Sequence, residues 1–515
     1  MGMIACFIIL VSLNASDFSK TRSYIKQSWT VLRRSNALLI KSAEDSKIGK
    51  NKAIKLYIPE RENLSRISSS VKRELAPAEF HKLKILKLSP QTNFLTPEDH
   101  GLLYLPKPYI VPGGRFNEMY GWDSYFILLG LVRDGELKLA KDMTDNCIYE
   151  IEHYGKVLNA NRTYYLTRSQ PPFLTRMILE VFSRTGDMKW LRNSLPAIER
   201  YYEYWTREPH LTPSTGLSRY HGGEDTPAPE VVTSERDATD QSHYDRVREY
   251  YKTHAVDEYD VSQFYDHRHD LLTPLFYNAD RAMRESGFDI SWRFGPFSAA
   301  ILDYNPVDLN CLLYRMEMDV AAICTLLDQP QKAGLWFGRS QQRAAQINRS
   351  MWNDKIGLYF DYDFKRRRQS GIHFITALYP LWAGLASPEQ AARIAANLSI
   401  FERNGGLQTS DRNTGAQWDA PFGWAPMQII ATQGLRRYGF SDAADRIATK
   451  FLSMIMRDFA KHGTLVEKYD VVAARSNLAG KVKYGYQSNE IGFGWTNAAF
   501  IVLHEELFAG KANKY

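Results

Sequence analysis

The chain has 515 residues, 44% of them hydrophobic and 24% charged, an ordinary globular composition long enough for a large buried core. Its net charge of +7 is a weak bias at this length, and short basic runs such as "KRRRQ" at 365–369 form no long stripe interleaved with aromatics, which excludes a nucleic-acid partner. Cys6, Cys147, Cys311 and Cys324 form no C-x-x-C pair and lie near no histidine at ligand spacing, which excludes structural zinc, and no metal site is expected.

Residues 1–15 hold an apolar run of about eleven residues, the length of a signal core and too short to span a bilayer. No Lys or Arg precedes it. Two readings follow: a signal segment, giving a periplasmic or secreted protein, or a retained leader, giving a cytoplasmic one. Residues 16–110 are read as an N-terminal helix in "SKTRSYIKQSWTVLRRSNALLIKSA" and a mixed, Pro-containing arm that wraps the main body. The main body is 111–515, and no other segment is long and apolar enough for a membrane span.

From about residue 120 onward, amphipathic stretches come in pairs. "PPFLTRMILEVFSRTGDMKWLRNSLPAIERYYEYW" is one pair, with Pro171 and Pro172 at its start, Gly186 at the turn, and Ala197, Tyr201 and Trp205 recurring every fourth residue. "SPEQAARIAANL" opens with a capping box from Ser387 to Gln390. "SDAADRIATKFLSMIMRDFAKHG" ends in the C-terminal signal Lys461, His462, Gly463. Strand signals are few, and "GLYFDYDF" is the best of them. Paired helices over some 400 residues, with no fixed short period and no nucleotide motif, predict a closed all-α toroid of helical hairpins. Its site is expected in long loops at one end.

Six loops concentrate carboxylates, arginines and aromatics: 111–126, 159–173, 284–297, 415–428, 465–471 and 486–500. One such loop is ordinarily a packed turn. Six at corresponding places indicate a polar ligand, because buried carboxylates are costly unless paired. Aromatic faces with Arg, Asn, Gln and Asp suit a sugar. No cofactor is expected, and two carboxylates suffice for glycoside hydrolysis. Glu118, Asp123, Asp289, Asp419, Glu467, Asp470 and Glu490 are the candidates. Apolar neighbours of Asp289 favour a raised pKa and an acid role, and Lys468 beside Glu467 favours an ionised base. The residues alone leave the choice open.

"PGGRFNEMYGWDSY" and "QWDAPFGWAP" resemble the two signatures of trehalases, the family-thirty-seven glycoside hydrolases. "NRTYYLTRSQPPF", "ESGFDISWRF", "EKYDV" and "GFGWTN" are similar to further family blocks, in the family's order, from about residue 20 to 505. The resemblance implies an (α/α)6 barrel and inverting hydrolysis of α,α-trehalose to two glucoses, with Asp289 as general acid and Glu467 as general base. It carries over substrate contacts at Arg115, Trp122, Asp123, Asn159, Arg168, Ser169, Gln170, Glu230, Gly287 and Trp424. The partner it implies is a small disaccharide, and a monomer is expected.

The chain departs from the family in three places. Ala228 stands where the family's "R-P-E" has arginine, while Glu230 matches. A long polar stretch separates Glu230 from Asp289. "ARSNLAGKVKYGYQSNE" replaces the glycine-rich "GGGGEY", leaving Glu490 to substitute for the family's glutamate. Hydrolysis of another α-glucoside on the same barrel, a non-catalytic sugar-binding protein and a phosphorylase are the alternatives.

Overall fold

The computed structural model describes residues 15–45, 54–89, 91–92, 94, 96–234, 236, 240–478 and 480–509. The leader reading of residues 1–15 lies outside these, apart from Ala15, which opens a helix. Along the chain run α1 (Ala15–Leu32), α2 (Gly121–Arg133), α3 (Leu137–Tyr154), α4 (Leu174–Thr185), α5 (Met188–Thr206), α6 (His243–Thr253) and α7 (Pro274–Glu285). They are followed by α8 (Val307–Leu326), α9 (Pro330–Met351), α10 (Tyr379–Ala383), α11 (Pro388–Ala396), α12 (Ala425–Arg437), α13 (Ser441–His462) and α14 (Gly494–Ala509).

Helices α2, α4, α8, α10, α12 and α14 each pack on the next, and α14 returns to α2 and closes the ring. Helices α3, α5, α9 and α13 form the outer layer with the shorter α11, and α1 packs on α13 and α14. The architecture is an (α/α)6 barrel. Inner helices are apolar all round because both faces are covered: every residue of α2 from Gly121 to Val132 is buried. Outer helices carry one stripe, as in α5, where Leu191, Leu195, Ile198, Tyr202 and Trp205 face inward. The α2 and α14 backbones nearly touch at Gly130, where a Cβ would stand 2.8 Å from Ala498 Cα and Cβ.

The terminal signals act locally as read. Gly186 and Gly463 take left-handed conformations after α4 and α13, and the Ser387–Gln390 capping box forms. Helix α4 begins at Leu174 rather than at the prolines. A turn from Phe173 N–H to the Pro171 carbonyl (3.1 Å) holds Pro171 and Pro172 outside it and leads Gln170 toward the barrel axis.

The arm holds structure that its sequence did not announce. β1 (Ile54–Ile58), β2 (Leu83–Lys87) and β3 (Leu102–Leu103) form a parallel sheet ordered β2-β1-β3. It abuts the barrel through Asn161, whose carbonyl accepts Leu103 N–H (2.9 Å) and whose amide donates to the Leu103 carbonyl (3.0 Å). "GLYFDYDF" yields only two-residue strand pieces, Leu358–Tyr359 and Tyr362–Asp363. Among the described residues no helix is long and apolar enough to cross a membrane.

Candidate active site

The inner helices α2, α4, α12 and α14 begin at the same end of the barrel, and the loops entering them line one cavity of about 100 Å³. Trp122 and Asp123 sit in the first turn of α2, Gln170 precedes α4, Trp424 precedes α12, and Phe493 and Trp495 flank the start of α14. The positive ends of four helix dipoles therefore converge on a site rich in carboxylates. Gln170 Oε1 accepts the Trp122 N–H at 3.0 Å, tying the α4 loop to the α2 terminus.

One wall is aromatic. Trp418 and Trp424 stack at 3.9 Å with planes 4° apart. Trp122 meets Trp418, Trp495 and Phe288 with ring centres 5.5–6.1 Å apart. The opposite side is polar. Arg168 is buried, pairs with Glu230 and lies over the Tyr165 ring (4.9 Å). Its Nε and Nη1 make no hydrogen bond with the described residues, so two donors remain for ligand oxygens. Arg168 and Arg284 hold the Glu230 carboxyl below its ordinary range against the opposing effect of burial.

The acid loop follows α7. Gly287 has φ +77°, and a Cβ there would stand 2.8 Å from the Trp122 ring, so only glycine lets Asp289 approach the aromatic wall. The loop is anchored by Arg293, which reaches Asp361 (2.6 Å) and Asp308 (2.6 Å), and by Gln417 Nε2, which donates to the Asp289 carbonyl (2.6 Å). The apolar setting expected around Asp289 belongs instead to Phe288. The Asp289 side chain is 29% exposed and stands 3.6 Å from Arg284 Nη1.

Glu467 is buried and lines the cavity. Its carbonyl accepts Trp495 Nε1–H (3.1 Å), its Oε2 receives Lys468 Nζ (3.3 Å), and its Oε1 receives the Tyr486 hydroxyl. Burial raises its pKa more than Lys468 and Tyr486 lower it. Sequence reasoning saw the lysine and missed the burial. Asp123 is pushed up well above the carboxylate range, first by burial and then by the charge of Glu467.

Of the seven candidate carboxylates, Asp123, Asp289 and Glu467 line the cavity. The other four hold the loops together. Glu118 pairs with Arg162 (2.5 Å). Asp419, raised to about 6 by burial, takes Ser410, Thr414 and the Trp292 N–H. Asp470 pairs with Lys481. Glu490 accepts the Arg115 N–H (3.0 Å) and Ser488 (2.7 Å) and stays behind the lining. Arg115, Trp122, Asn159, Arg168, Gln170, Glu230, Gly287 and Trp424 all line the cavity. Ser169 lies one layer back: its N–H goes to Glu285 (3.0 Å) and its hydroxyl to the Val157 carbonyl (2.5 Å).

The structure adds Arg284, Trp418, Tyr120, Tyr165 and Tyr486 to the lining. Arg284 brings a guanidinium beside Asp289 and Glu230 although the chain has Ala228 in the "TPAPE" segment. It is held there by Asp280, whose Oδ2 accepts Arg284 Nε (3.0 Å) and the Tyr244 hydroxyl (3.0 Å). The "RESGFD" stretch carried this arginine in plain view.

A family model for trehalase matches residues 27–507. Over 440 residues the chain is 38% identical to a cytosolic neutral trehalase of Neurospora crassa, covering 77% of the chain and 58% of that protein. A cytosolic neutral trehalase of Saccharomyces cerevisiae is 38% identical over 432 residues, covering 77% and 56%. The chain thus spans less than three fifths of the length of these curated relatives. The solved structure of neutral trehalase Nth1 from Saccharomyces cerevisiae superposes with a TM-score of 0.78 at 32% identity, covering 95% of this chain and 94% of that one. A mannosylglycerate hydrolase from Thermus thermophilus, at 17% identity and a TM-score of 0.52, shares the fold alone.

Proposed function

The chain belongs to the trehalase family, and from that footing we propose that it hydrolyses α,α-trehalose to two glucose molecules with inversion, as a monomer. Asp289 gives its proton to the glycosidic oxygen as the C–O bond breaks. Glu467 takes a proton from a water that attacks the anomeric carbon from the other face. One glucose leaves as the α anomer and the other as β. A disaccharide that shields Asp289 from water disfavours its charge, which offsets the pull of Arg284 and leaves a carboxylic acid to act. Glu467, once it has given its proton to bulk water, returns as a carboxylate.

The observation that carries this reading is the meeting of Asp289 and Glu467, from loops 178 positions apart in the sequence, in one aromatic-walled cavity. Arg168, Arg115, Asn159 and Gln170 surround it with planar hydrogen-bonding groups for vicinal hydroxyls. Arg284 supplies the guanidinium that Ala228 lacks. Proton NMR of the initial products tests the proposal. Equal initial α- and β-glucose from trehalose, without phosphate, is the expected result; product that begins as α-glucose alone means retention.

The altered segments at 228 and 474–490 favour a second reading, another α-glucoside on the same barrel. A panel of kojibiose, maltose and sucrose decides it: any of them outrunning trehalose in kcat/KM displaces the first reading.

A further inference from the structure

Tyr486 lies in the segment that departs most from the family pattern, yet its ring lines the cavity. Its hydroxyl donates to Glu467 Oε1, the oxygen that Lys468 does not hold. Two cations lie over its ring: Lys468 Nζ is 3.8 Å from the ring centre and the Arg115 guanidinium carbon is 4.5 Å from it. Cations over a ring face are attracted by its quadrupole, and here the pair fixes the plane of the phenol. Lys468 also donates to Gln417 Oε1 (3.2 Å) and to the Ser488 carbonyl (3.2 Å), and Gln417 in turn grips the Asp289 carbonyl. The segment bearing Tyr486 is thereby joined to both catalytic loops.

We propose that Tyr486 is a positioning residue for the general base, donating its hydroxyl to Glu467 Oε1 so that the carboxylate is held charged and in one orientation. The inference rests on the reading of Glu467 as base. A phenol serves here because it is a donor that stays neutral: burial and the charge of Glu467 both push its pKa well above the ordinary value. The charged and titratable groups facing Glu467 are Lys468, Arg115, Glu490, Asp123 and Tyr486 itself. Lys468 and Arg115 favour its ionised form, Glu490 and Asp123 oppose it, and removal of the hydroxyl leaves the other four in place. A hydrogen bond to the charged form of a carboxylate lowers its pKa, so its loss moves the acid limb of kcat/KM upward.

The test is Tyr486→Phe in the full chain, with pH profiles on trehalose and on α-glucosyl fluoride, whose good leaving group keeps slow variants measurable. The expected result is an acid limb displaced upward by about one pH unit, kcat at the optimum about 10-fold lower, and KM within about 3-fold of the parent. A thermal unfolding midpoint near the parent's establishes that the variant is folded. An acid limb that stays in place, or a loss confined to KM, overturns the proposal. Glu467→Gln separates the two failures. If it keeps near-parental turnover, the base assignment itself is lost; if it is inactive while the Tyr486→Phe limb is unmoved, only the role of Tyr486 is lost.

Discussion

Glu150 offers a stability experiment whose sign and size follow from its surroundings. It lies near the end of α3, fully buried, and its Oε2 accepts the Leu158 N–H at 3.0 Å, one residue before Asn159 of the cavity. Its Oε1 has no hydrogen-bond partner among the described residues. Burial, the first cause, raises its pKa from 4.5 to about 8 against the weaker pull of that N–H. The folded chain thus keeps a proton that the unfolded chain releases between pH 4.5 and 8, and stability falls as pH rises through that window. By pH 7 the loss covers about 2.5 pH units at 1.36 kcal/mol each, or about 3 kcal/mol. Glu150→Gln keeps the acceptor for Leu158, places an NH₂ where the carboxylic OH was, and has no proton to lose. At pH 7 the variant should be more stable by about 3 kcal/mol, which for 515 residues raises Tm by about 3 °C. At pH 4 the two proteins should melt together. Scanning calorimetry of both at pH 4, 5.5 and 7 reads the effect. A variant that melts lower at pH 7, or a gain that does not change with pH, would refute the reasoning.

Substitutions at three further positions address the site. Gly287→Ala forces a methyl against the Trp122 ring in a left-handed conformation, and kcat/KM should fall by at least about 10²-fold with the barrel still folded by circular dichroism. If Asp123 acts as a neutral hydrogen-bonding carboxyl, Asp123→Asn should keep kcat within about 10-fold of the parent while Asp123→Ala falls well below it; equal losses in the two variants would point to a charged or proton-transferring Asp123. Arg284→Ala removes the cation beside Asp289 and Glu230 and one partner of Asp280, so both kcat/KM and Tm should fall. Arg284→Lys, which keeps the charge without the fork, should fall between.

The hairpin architecture was legible because it rests on local signals. Caps at Ser387 and left-handed glycines at 186 and 463 act within one turn of chain, and an apolar stripe such as that of α5 reports one covered face. The parallel sheet of the arm was not legible. β1 and β2 are five residues each, separated by the helix Leu64–Glu74, and their pairing is non-local. Within the site, residue types and motif order located the wall of tryptophans and the Arg168 and Gln170 loop. What escaped was electrostatics set in three dimensions. Lys468 beside Glu467 suggested a lowered pKa, but burial reverses the sign. The aromatic neighbours of Asp289 suggested a dry pocket, but Arg284, five positions earlier, faces it across the turn. Glu490 was matched to the family's missing glutamate, whereas the structure gives it the Arg115 backbone and gives the cavity Tyr486.

The assignment of Asp289 as acid and Glu467 as base meets its most direct test in the hydrolysis of two substrates by Asp289→Ala. Glucose release from trehalose needs a proton on the departing oxygen, whereas α-glucosyl fluoride leaves with little such help. The account predicts a loss of at least about 10²-fold in kcat on trehalose, with hydrolysis of the fluoride within about 10-fold of the parent. Equal losses on both substrates, or near-parental turnover of trehalose, would contradict it.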